Sequence, residues 1–184
     1  MGRCWFEGLD ERMRTRWGRR LALLVAAGLG AFMIYGRERS WKLVAPADLG
    51  PVDFGALRRS PRPNDALAAS RGLDASADVV LPVYSATPQD VLAEVDARIA
   101  ALGDEVERVE TTPTKRRFVT RSRLMRFPDT TVIEAVPLHD GRTGLRAYAR
   151  ASLGYSDLGA NAARLRRWLD DLPVAPVDET SGIR

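Results

Sequence analysis

The chain has 184 residues, of which 45% are hydrophobic and 28% are charged, and its formal net charge is +4. This composition is typical of a folded globular protein and excludes a disordered chain, a collagen and a polytopic membrane protein. The length suits one domain with terminal segments. The only cysteine is Cys4, so the sequence excludes an internal disulfide and a thiolate metal site.

An apolar run without charges occupies residues 21–35. A membrane-spanning helix needs about 20 apolar residues, so this run is short. Trp17 and Trp41 stand where interfacial aromatic residues would lie, and such residues help a short helix to span. We therefore predict one single-pass transmembrane helix at residues 21–36, preceded by a cytosolic basic tail at residues 1–20.

The basic residues around this run are distributed unevenly. Five lie shortly before it, at Arg12, Arg14, Arg16, Arg19 and Arg20, and three lie shortly after it, at Arg37, Arg39 and Lys42. By the positive-inside rule, the N-terminus stays in the cytosol and the remainder is translocated. We therefore expect a protein of the bacterial inner membrane whose domain lies in the periplasm, where nucleic acid is not available as a partner.

A cleavable signal peptide is the competing interpretation, because the run is only slightly longer than the apolar part of such a leader. No good small-residue cleavage site follows between Phe32 and Arg39. Translation from Met13 would nevertheless leave a conventional short basic export leader. A buried core helix is a third interpretation, which the basic flanks disfavour.

Residues 37–60 are predicted to be a linker, because prolines and glycines interrupt any regular period, and irregular structure is expected to continue to Asp78. A domain is predicted at residues 61–173, followed by a flexible tail at residues 174–184. Within the domain, the short β-branched run Val79–Tyr84 is broken by a proline and suits an edge strand.

Two amphipathic helices are predicted. Thr87 suits the N-cap of the first, with proline at the first helical position, and Gly103 suits the left-handed residue that ends it. Its apolar stripe comprises Val91, Leu92, Val95, Ile99 and Leu102. The second helix is predicted from Asp157 to Leu172, before Pro173. Its buried stripe comprises Leu165, Trp168, Leu169 and Leu172.

Three or four antiparallel strands are predicted between these helices, at residues 105–112, 117–127, 131–138 and 144–153. The last of them alternates small apolar with polar residues, so one face packs and the other is polar. The order strand, helix, strands, helix predicts an α+β fold. We expect an antiparallel sheet of four to five strands, with the two helices packed on its small-residue face.

A set of arginines and one tyrosine on these strands is predicted to share one sheet face, because its members are two or four residues apart. The set consists of Arg121, Arg123, Arg146, Tyr148 and Arg150. We hypothesise that this face binds an anionic ligand, a lipid headgroup or an acidic protein partner. The alternative is a solvated face on which Glu107, Glu110 and Glu134 balance the arginines.

Signals for an enzyme are weak. His139 is the only histidine, and its place beside a predicted turn favours an exposed residue over a catalytic one. The sequence contains no nucleophile elbow, metal-ligand spacing, phosphate loop or dinucleotide-binding pattern. We therefore expect no catalytic residue, no cofactor and no metal. Asp157 disfavours an anion in the segment Gly154–Gly159 and suits capping of the second helix.

Residues 150–164 read RASLGYSDLGANAAR. This segment resembles the C-terminal signature of the DUF1499 family, which comprises bacterial and plastid-lineage proteins of unknown function. The matching positions are Gly154, Ser156, Asp157, Gly159, Asn161 and Arg164. Phe127-Pro128-Asp129 and Pro63-Asn64 resemble two further features of the family. The resemblance extends from about Pro61 to Leu172 and implies no known reaction.

Together these observations predict a non-enzymatic envelope protein whose domain binds an anionic or lipid ligand or a protein partner. The alternative is an enzyme with a site at the start of the second helix, formed by Ser156, Asp157, Asn161 and Arg164. A scaffold without a ligand is a third possibility. The chain departs from the family pattern at Ala149, Ala151 and Ser152, which favours a structural role for the motif.

Overall fold

The computed structural model of the protein describes residues 4–36, 39, 42 and 45–176. The chain divides into two units, Met1–Leu43 and Val44–Arg184. Trp41, which was expected to be an interfacial aromatic residue, lies outside the described residues, as do residues 177–184 of the expected flexible tail. Each unit is therefore described by itself.

The first unit contains helix α1, Cys4–Ala31, which continues into a π-helical turn at Phe32–Gly36. Between residues 17 and 32 its large apolar side chains are exposed, as at Leu24, which is 70% accessible. Within the described part of the chain, no helix is both long enough and apolar enough to cross a membrane. The predicted transmembrane helix at residues 21–36 is therefore wrong, because flanking aromatic residues do not replace the missing apolar length.

The second unit is built on one six-stranded sheet. Its strands are β1 Asp65–Ser70, β2 Val79–Leu81, β3 Val106–Thr111, β4 Lys115–Arg121, β5 Pro128–Pro137 and β6 Thr143–Ala151. They lie in the order β2-β1-β6-β5-β4-β3. The β1–β2 pair is parallel, and every other neighbouring pair is antiparallel. The predicted edge strand at Val79 is confirmed as β2.

The prediction of an antiparallel sheet with four to five strands is wrong in both respects, because the sheet is mixed and has six strands. The strand that escapes prediction is β1, whose sequence DALAAS contains no β-branched or aromatic residue. Five of its six residues are buried, so both faces are covered and the polar alternation of a half-exposed strand is absent. Because these signals are absent, residues 65–70 were predicted to belong to irregular chain.

Two helices of the second unit pack on the sheet: α2, Pro88–Ala101, and α3, Ala160–Leu169. The predicted start of α2 is confirmed, since the Thr87 side chain accepts a hydrogen bond from the Asp90 amide. Gly103 has a φ of 64°, the left-handed conformation expected of it. Together with α1, the described residues form three α-helices.

The main core lies between these helices and the sheet face that carries the alanines, as predicted. Ala147 and Ala149 on β6 are fully buried, and their small side chains let the helices approach the sheet closely. Trp168 of α3 meets Phe118 of β4 edge to face, with 5.7 Å between the ring centroids. The Trp168 indole donates to the Asp104 carboxylate at 2.6 Å, so its polar end is also satisfied.

The opposite face of the sheet is covered by the chain that precedes β1. Val52 and Phe54 are buried there against Leu67, Val132 and Tyr148. Three arginines of the sheet hold this segment, and each makes a different contact. The Arg150 guanidinium donates to the carbonyl oxygens of Leu49 and Gly50, at 2.7 and 3.1 Å. Arg117 pairs with Asp48 at 3.1 Å, and the Arg146 guanidinium lies 5.2 Å from the centre of the Phe54 ring.

We expect Arg150→Gln to lower the free energy of unfolding by about 1–2 kcal/mol, because two backbone carbonyls lose a charged donor. Urea denaturation measures this difference. Arg166→Gln is the matched control, since Arg166 is exposed on α3 and the substitution removes the same charge. Equal stability of the two variants would contradict a role for Arg150 in holding the segment.

Candidate functional site

The positions of the family motif come together at the start of α3. Gly154, Ser156 and Asp157 lie in the loop between β6 and α3, and Gly159 is the N-cap residue. Leu158 and Gly159 both have a positive φ, at 54° and 79°, so the loop makes its last bend in the left-handed region. Glycine adopts that conformation without the steric cost that Leu158 carries.

Asp157 caps α3, as predicted. One carboxylate oxygen accepts from the Gly159 amide and the other from the Asn161 amide, both at 2.9 Å. The Asp157 amide itself donates to the Pro63 carbonyl at 3.2 Å. Because both carboxylate oxygens bind backbone amides at a helix N-terminus, Asp157 stabilises the loop and α3.

Asn161 joins α3 to the segment before β1. Its side chain is fully buried, and its amide nitrogen donates to the Asn64 carbonyl at 3.3 Å. The Asn64 side chain in turn donates to the Gly154 carbonyl at 3.1 Å and accepts from the Ser60 hydroxyl at 2.7 Å. The Pro63-Asn64 pair and the C-terminal motif are therefore parts of one hydrogen-bonded network.

The same network orients Arg164. Its guanidinium donates to the Asn161 side-chain oxygen and to the Asp129 carboxylate, both at 2.7 Å. Both side chains of the Arg164–Asp129 ion pair are nearly buried, at 11% and 12% exposed. Burial raises the pKa of Asp129, and the attraction of Arg164 opposes that rise. Asp129 belongs to the Phe127-Pro128-Asp129 segment at the start of β5, so all three features of the resemblance meet here.

A comparison with protein families agrees with this geometry. The family described as "Protein of unknown function (DUF1499)" matches residues 58–172, which is more than half of the chain. The chain belongs to the DUF1499 family. The match contains the whole Asn64–Asp129–Asn161–Arg164 network, and the resemblance predicted from the motif is confirmed. No curated protein matches the chain.

Next to this network the DUF1499 domain has an arginine-lined cleft of about 540 Å³. The cleft lies between α3, the turn that joins β4 to β5, and the chain that follows α2. Its arginines are Arg121, Arg123, Arg126, Arg164 and Arg167. Two carboxylates, Asp104 and Glu105, also line it, so positive side chains predominate. We refer to this site as the arginine cleft.

Four of these arginines pair with carboxylates, two of which, Asp104 and Glu105, line the cleft themselves. Arg126 pairs with Glu105, whose side chain is 69% exposed, and Arg121 pairs with Glu107 at 2.8 Å, whose side chain is 54% exposed. Arg167 binds Asp104 at 2.6 Å, and that carboxylate also accepts from Trp168. Ion pairs therefore order at least four of the five arginines that line the cleft.

The predicted arginine and tyrosine face is divided by the structure. Arg121 and Arg123 line the arginine cleft, although Arg123 lies beyond the end of β4. Arg146 and Arg150 contact the segment before β1, and Arg146 also pairs with Glu134 at 2.8 Å. Tyr148 is only 2% exposed. The last three side chains thus lie beneath the covering segment, together with its buried Phe54.

Tyr148 belongs to a second polar cluster. Its hydroxyl donates to the Asp65 carboxylate at 2.6 Å, and Arg59 binds the same carboxylate at 2.9 Å. Burial opposes the charge of Asp65, but hydrogen bonds from Arg59, Tyr148 and the Ser60 amide outweigh it and lower the pKa of Asp65. Burial and the neighbouring Asp65 raise the pKa of Tyr148 to about 12, so its hydroxyl stays protonated.

The four residues of the alternative enzyme site differ in their location and contacts. Arg164 lines the arginine cleft, whereas Ser156, Asp157 and Asn161 are not among its described lining residues. Ser156 accepts a hydrogen bond from the Leu158 amide at 3.1 Å. His139 is exposed in a short 3-10 turn, as predicted. In the part of the chain that the structure describes, no three potential metal ligands cluster.

Sequence reasoning singles out Arg121, Arg123 and Arg164 but does not bring them together, and it omits Arg126 and Arg167. Arg167 carried a usable signal, since it follows Arg164 by three residues on a predicted helix and so shares its face. Arg126 carried none, because it lies in a turn with a left-handed φ of 60°.

We expect Asn161→Ala to lower the free energy of unfolding by about 2 kcal/mol, because it removes a buried partner from both Arg164 and the Asn64 carbonyl. Thermal or urea denaturation measures the loss. The control within the same motif is Ser156→Ala, whose side chain is exposed and which should change stability by less than about 0.5 kcal/mol. Similar effects at both positions would argue against the network as the structural centre of the motif.

The lowered pKa of Asp65 predicts a pH dependence. A carboxyl group with a depressed pKa in the folded state stabilises the fold above its unfolded pKa, and this contribution is lost as the pH falls through the folded value. Asp65→Asn should therefore be less stable than wild type near neutral pH, and the difference should shrink below about pH 4. Urea denaturation at a series of pH values tests this, and a difference that is constant with pH would exclude the assigned role.

Proposed function

We propose that the DUF1499 domain of this protein binds a small phosphate-type anion in the arginine cleft. The observation that carries the proposal is the convergence of five arginines, from two separate parts of the chain, on one volume of about 540 Å³. Pockets of this size accommodate small ligands. A planar guanidinium matches the oxygens of phosphate and carboxylate groups in pairs, which favours such an anion over a neutral ligand.

Contacts with the motif network hold Arg164 in position before a ligand binds. Its two bonds to Asn161 and Asp129 fix the plane of the guanidinium and use two of its five N–H donors. The side chain is 11% exposed, so its position changes little when a ligand arrives. A donor that is already oriented loses less conformational entropy on binding. The motif therefore supports binding through Arg164 even though most of its residues have structural contacts.

The outer arginines can exchange partners. An ion pair with an exposed carboxylate stabilises a protein by at most about 1 kcal/mol. Arg121 and Arg126 are 22% and 13% exposed, but their partners Glu107 and Glu105 are largely in solvent. A ligand anion that replaces either glutamate thus costs the fold little. Arg123 is exposed at the rim and adds a further positive charge.

The source of the anion is left to experiment, because a free phosphate compound and a phospholipid headgroup present the same chemistry. Leu124 favours the headgroup, since it lies in the turn that forms one wall of the cleft and is 64% exposed. An apolar side chain beside arginines suits a ligand with an acyl chain. The free phosphate is favoured by the concave shape, which encloses a small ligand.

The test uses the full chain and two probes. Titration calorimetry at constant ionic strength measures binding of inorganic phosphate and pyrophosphate, and co-sedimentation measures binding to phosphatidylglycerol vesicles against phosphatidylcholine vesicles. Arg121→Gln with Arg123→Gln should weaken binding of the preferred probe by about tenfold or more. The control is Arg58→Gln with Arg62→Gln, which removes the same charge at two exposed positions that do not line the cleft.

The outcomes separate the sources. Variant-sensitive binding of free phosphate identifies a soluble anion, and variant-sensitive binding to phosphatidylglycerol vesicles without phosphate binding identifies a headgroup. An equal loss of binding in the control and cleft variants would show that net charge alone attracts the anion. That result, or the absence of binding to either probe, would overturn the proposal.

A further inference from the structure

A second pocket of about 420 Å³ lies at the other end of α3. It is formed by the chain after β2 and the chain after α3. Its lining residues are Pro82, Tyr84, Asp170, Asp171, Leu172, Val174 and Pro176. We refer to it as the acidic pocket. Its described lining has two carboxylates and no basic side chain, which is the reverse of the arginine cleft.

Tyr84 is the unusual member of this lining. Its backbone is fixed by hydrogen bonds to Thr143 in both directions, at 2.8 and 2.9 Å, and by a bridge to Pro176. The residue is 1% exposed, yet its hydroxyl has no hydrogen-bond partner among the described residues. An unpaired buried hydroxyl is unfavourable, so a polar group of a ligand is expected to meet it.

The charge around the Tyr84 hydroxyl is negative. Asp170 and Asp171 line the same pocket as Tyr84. Burial, followed by the charges of these two carboxylates, raises the pKa of Tyr84 to about 12. The phenol remains protonated at neutral pH and its oxygen can accept a hydrogen bond. The two aspartates also follow the C-terminus of α3, where the helix carbonyls add negative charge.

The last turn of α3 carries two arginines, Arg166 and Arg167, and neither of them lines the acidic pocket. Arg167 of that turn binds Asp104 at 2.6 Å, on the side of the arginine cleft. Asp171 has a φ of 53°, a conformation that aspartate tolerates and that turns the chain sharply after the helix. The pocket thus collects two anionic groups and one acceptor, with only apolar residues as its remaining lining.

We propose that the acidic pocket binds a small alkylammonium ion. An ammonium group can donate to the Tyr84 oxygen and lie beside the carboxylates of Asp170 and Asp171. A short alkyl chain can contact the apolar walls formed by Leu172 and Val174. Calcium and magnesium take six or more oxygen ligands and keep water, so a cation with an apolar stem suits this mixed lining better.

The test measures binding of n-butylammonium chloride to the full chain, by titration calorimetry and by the thermal unfolding midpoint. A ligand that binds the folded state raises the midpoint with concentration, whereas the neutral isostere 1-butanol and potassium chloride should not. Asp170→Asn with Asp171→Asn should weaken binding by about tenfold or more. Asp53→Asn with Glu94→Gln is the control, since it removes the same charge at positions outside the pocket.

Tyr84→Phe provides the second variant. The hydroxyl has no described protein partner, so its removal should leave the unfolding midpoint unchanged or higher while n-butylammonium binds about tenfold more weakly. Wild-type affinity in the Asp170/Asp171 variant, or no saturable binding of n-butylammonium to the wild type, would overturn the proposal. Neither outcome depends on the arginine cleft, which is tested with anions.

Discussion

The two faces of strand β6 set the main constraint on this fold. The strand is paired on both sides, with β1 and with β5, and its two faces must be covered by different kinds of structure. On one face Ala147 and Ala149 are small enough for two helices to pack closely. On the other, Arg146, Tyr148 and Arg150 bind the irregular chain before β1. Long polar side chains can cover apolar surface with their stems and still donate hydrogen bonds at their ends.

The family motif acts through buried polar contacts at the edge of this arrangement. Asn161 is fully buried and binds both Asn64 and Arg164, so it connects α3 with the chain that leads into β1. In a region of low dielectric, such a network stabilises only when all its members are paired. Asp129 completes the network by pairing with Arg164, and Arg164 also lines the arginine cleft. A motif that is mainly structural thereby positions one functional group.

The sequence predicts the parts of the fold that depend on local rules. Helix α2 carries a capping threonine, a first-turn proline and a left-handed glycine, and each of these is a short-range signal. Strand β1 carries no such signal, because its small residues are buried by contacts that form only in the complete sheet. The apolar run of α1 shows the opposite error. Its local pattern predicted a membrane-spanning helix, although the run is shorter than such a helix needs.

The sequence does not predict the candidate site for a related reason, because contacts between distant segments form it. Strand alternation correctly places Arg146, Tyr148 and Arg150 on one face, but it does not reveal that residues 48–57 cover that face. That segment has no periodic pattern, and its packing depends on single contacts such as the Arg150 bonds to two carbonyls. The arginine cleft likewise forms only where three elements meet at one end of the sheet. Local sequence patterns do not reveal how those elements are arranged in space.

Helix α3 relates the two proposed sites to one another. It has 10 residues, so its ends are separated by about 15 Å. Arg164 faces the arginine cleft in its first half, and the two aspartates of the acidic pocket follow its last turn. Carboxylates at a helix C-terminus oppose the helix dipole, so their position lowers the stability of the isolated helix.

Burial of Trp168 against Phe118 and its bond to Asp104 offset that cost and fix α3 on the sheet. Because Asp104 also binds Arg167, the contact that anchors the helix is itself part of the arginine cleft. The same core contact therefore holds both sites in place.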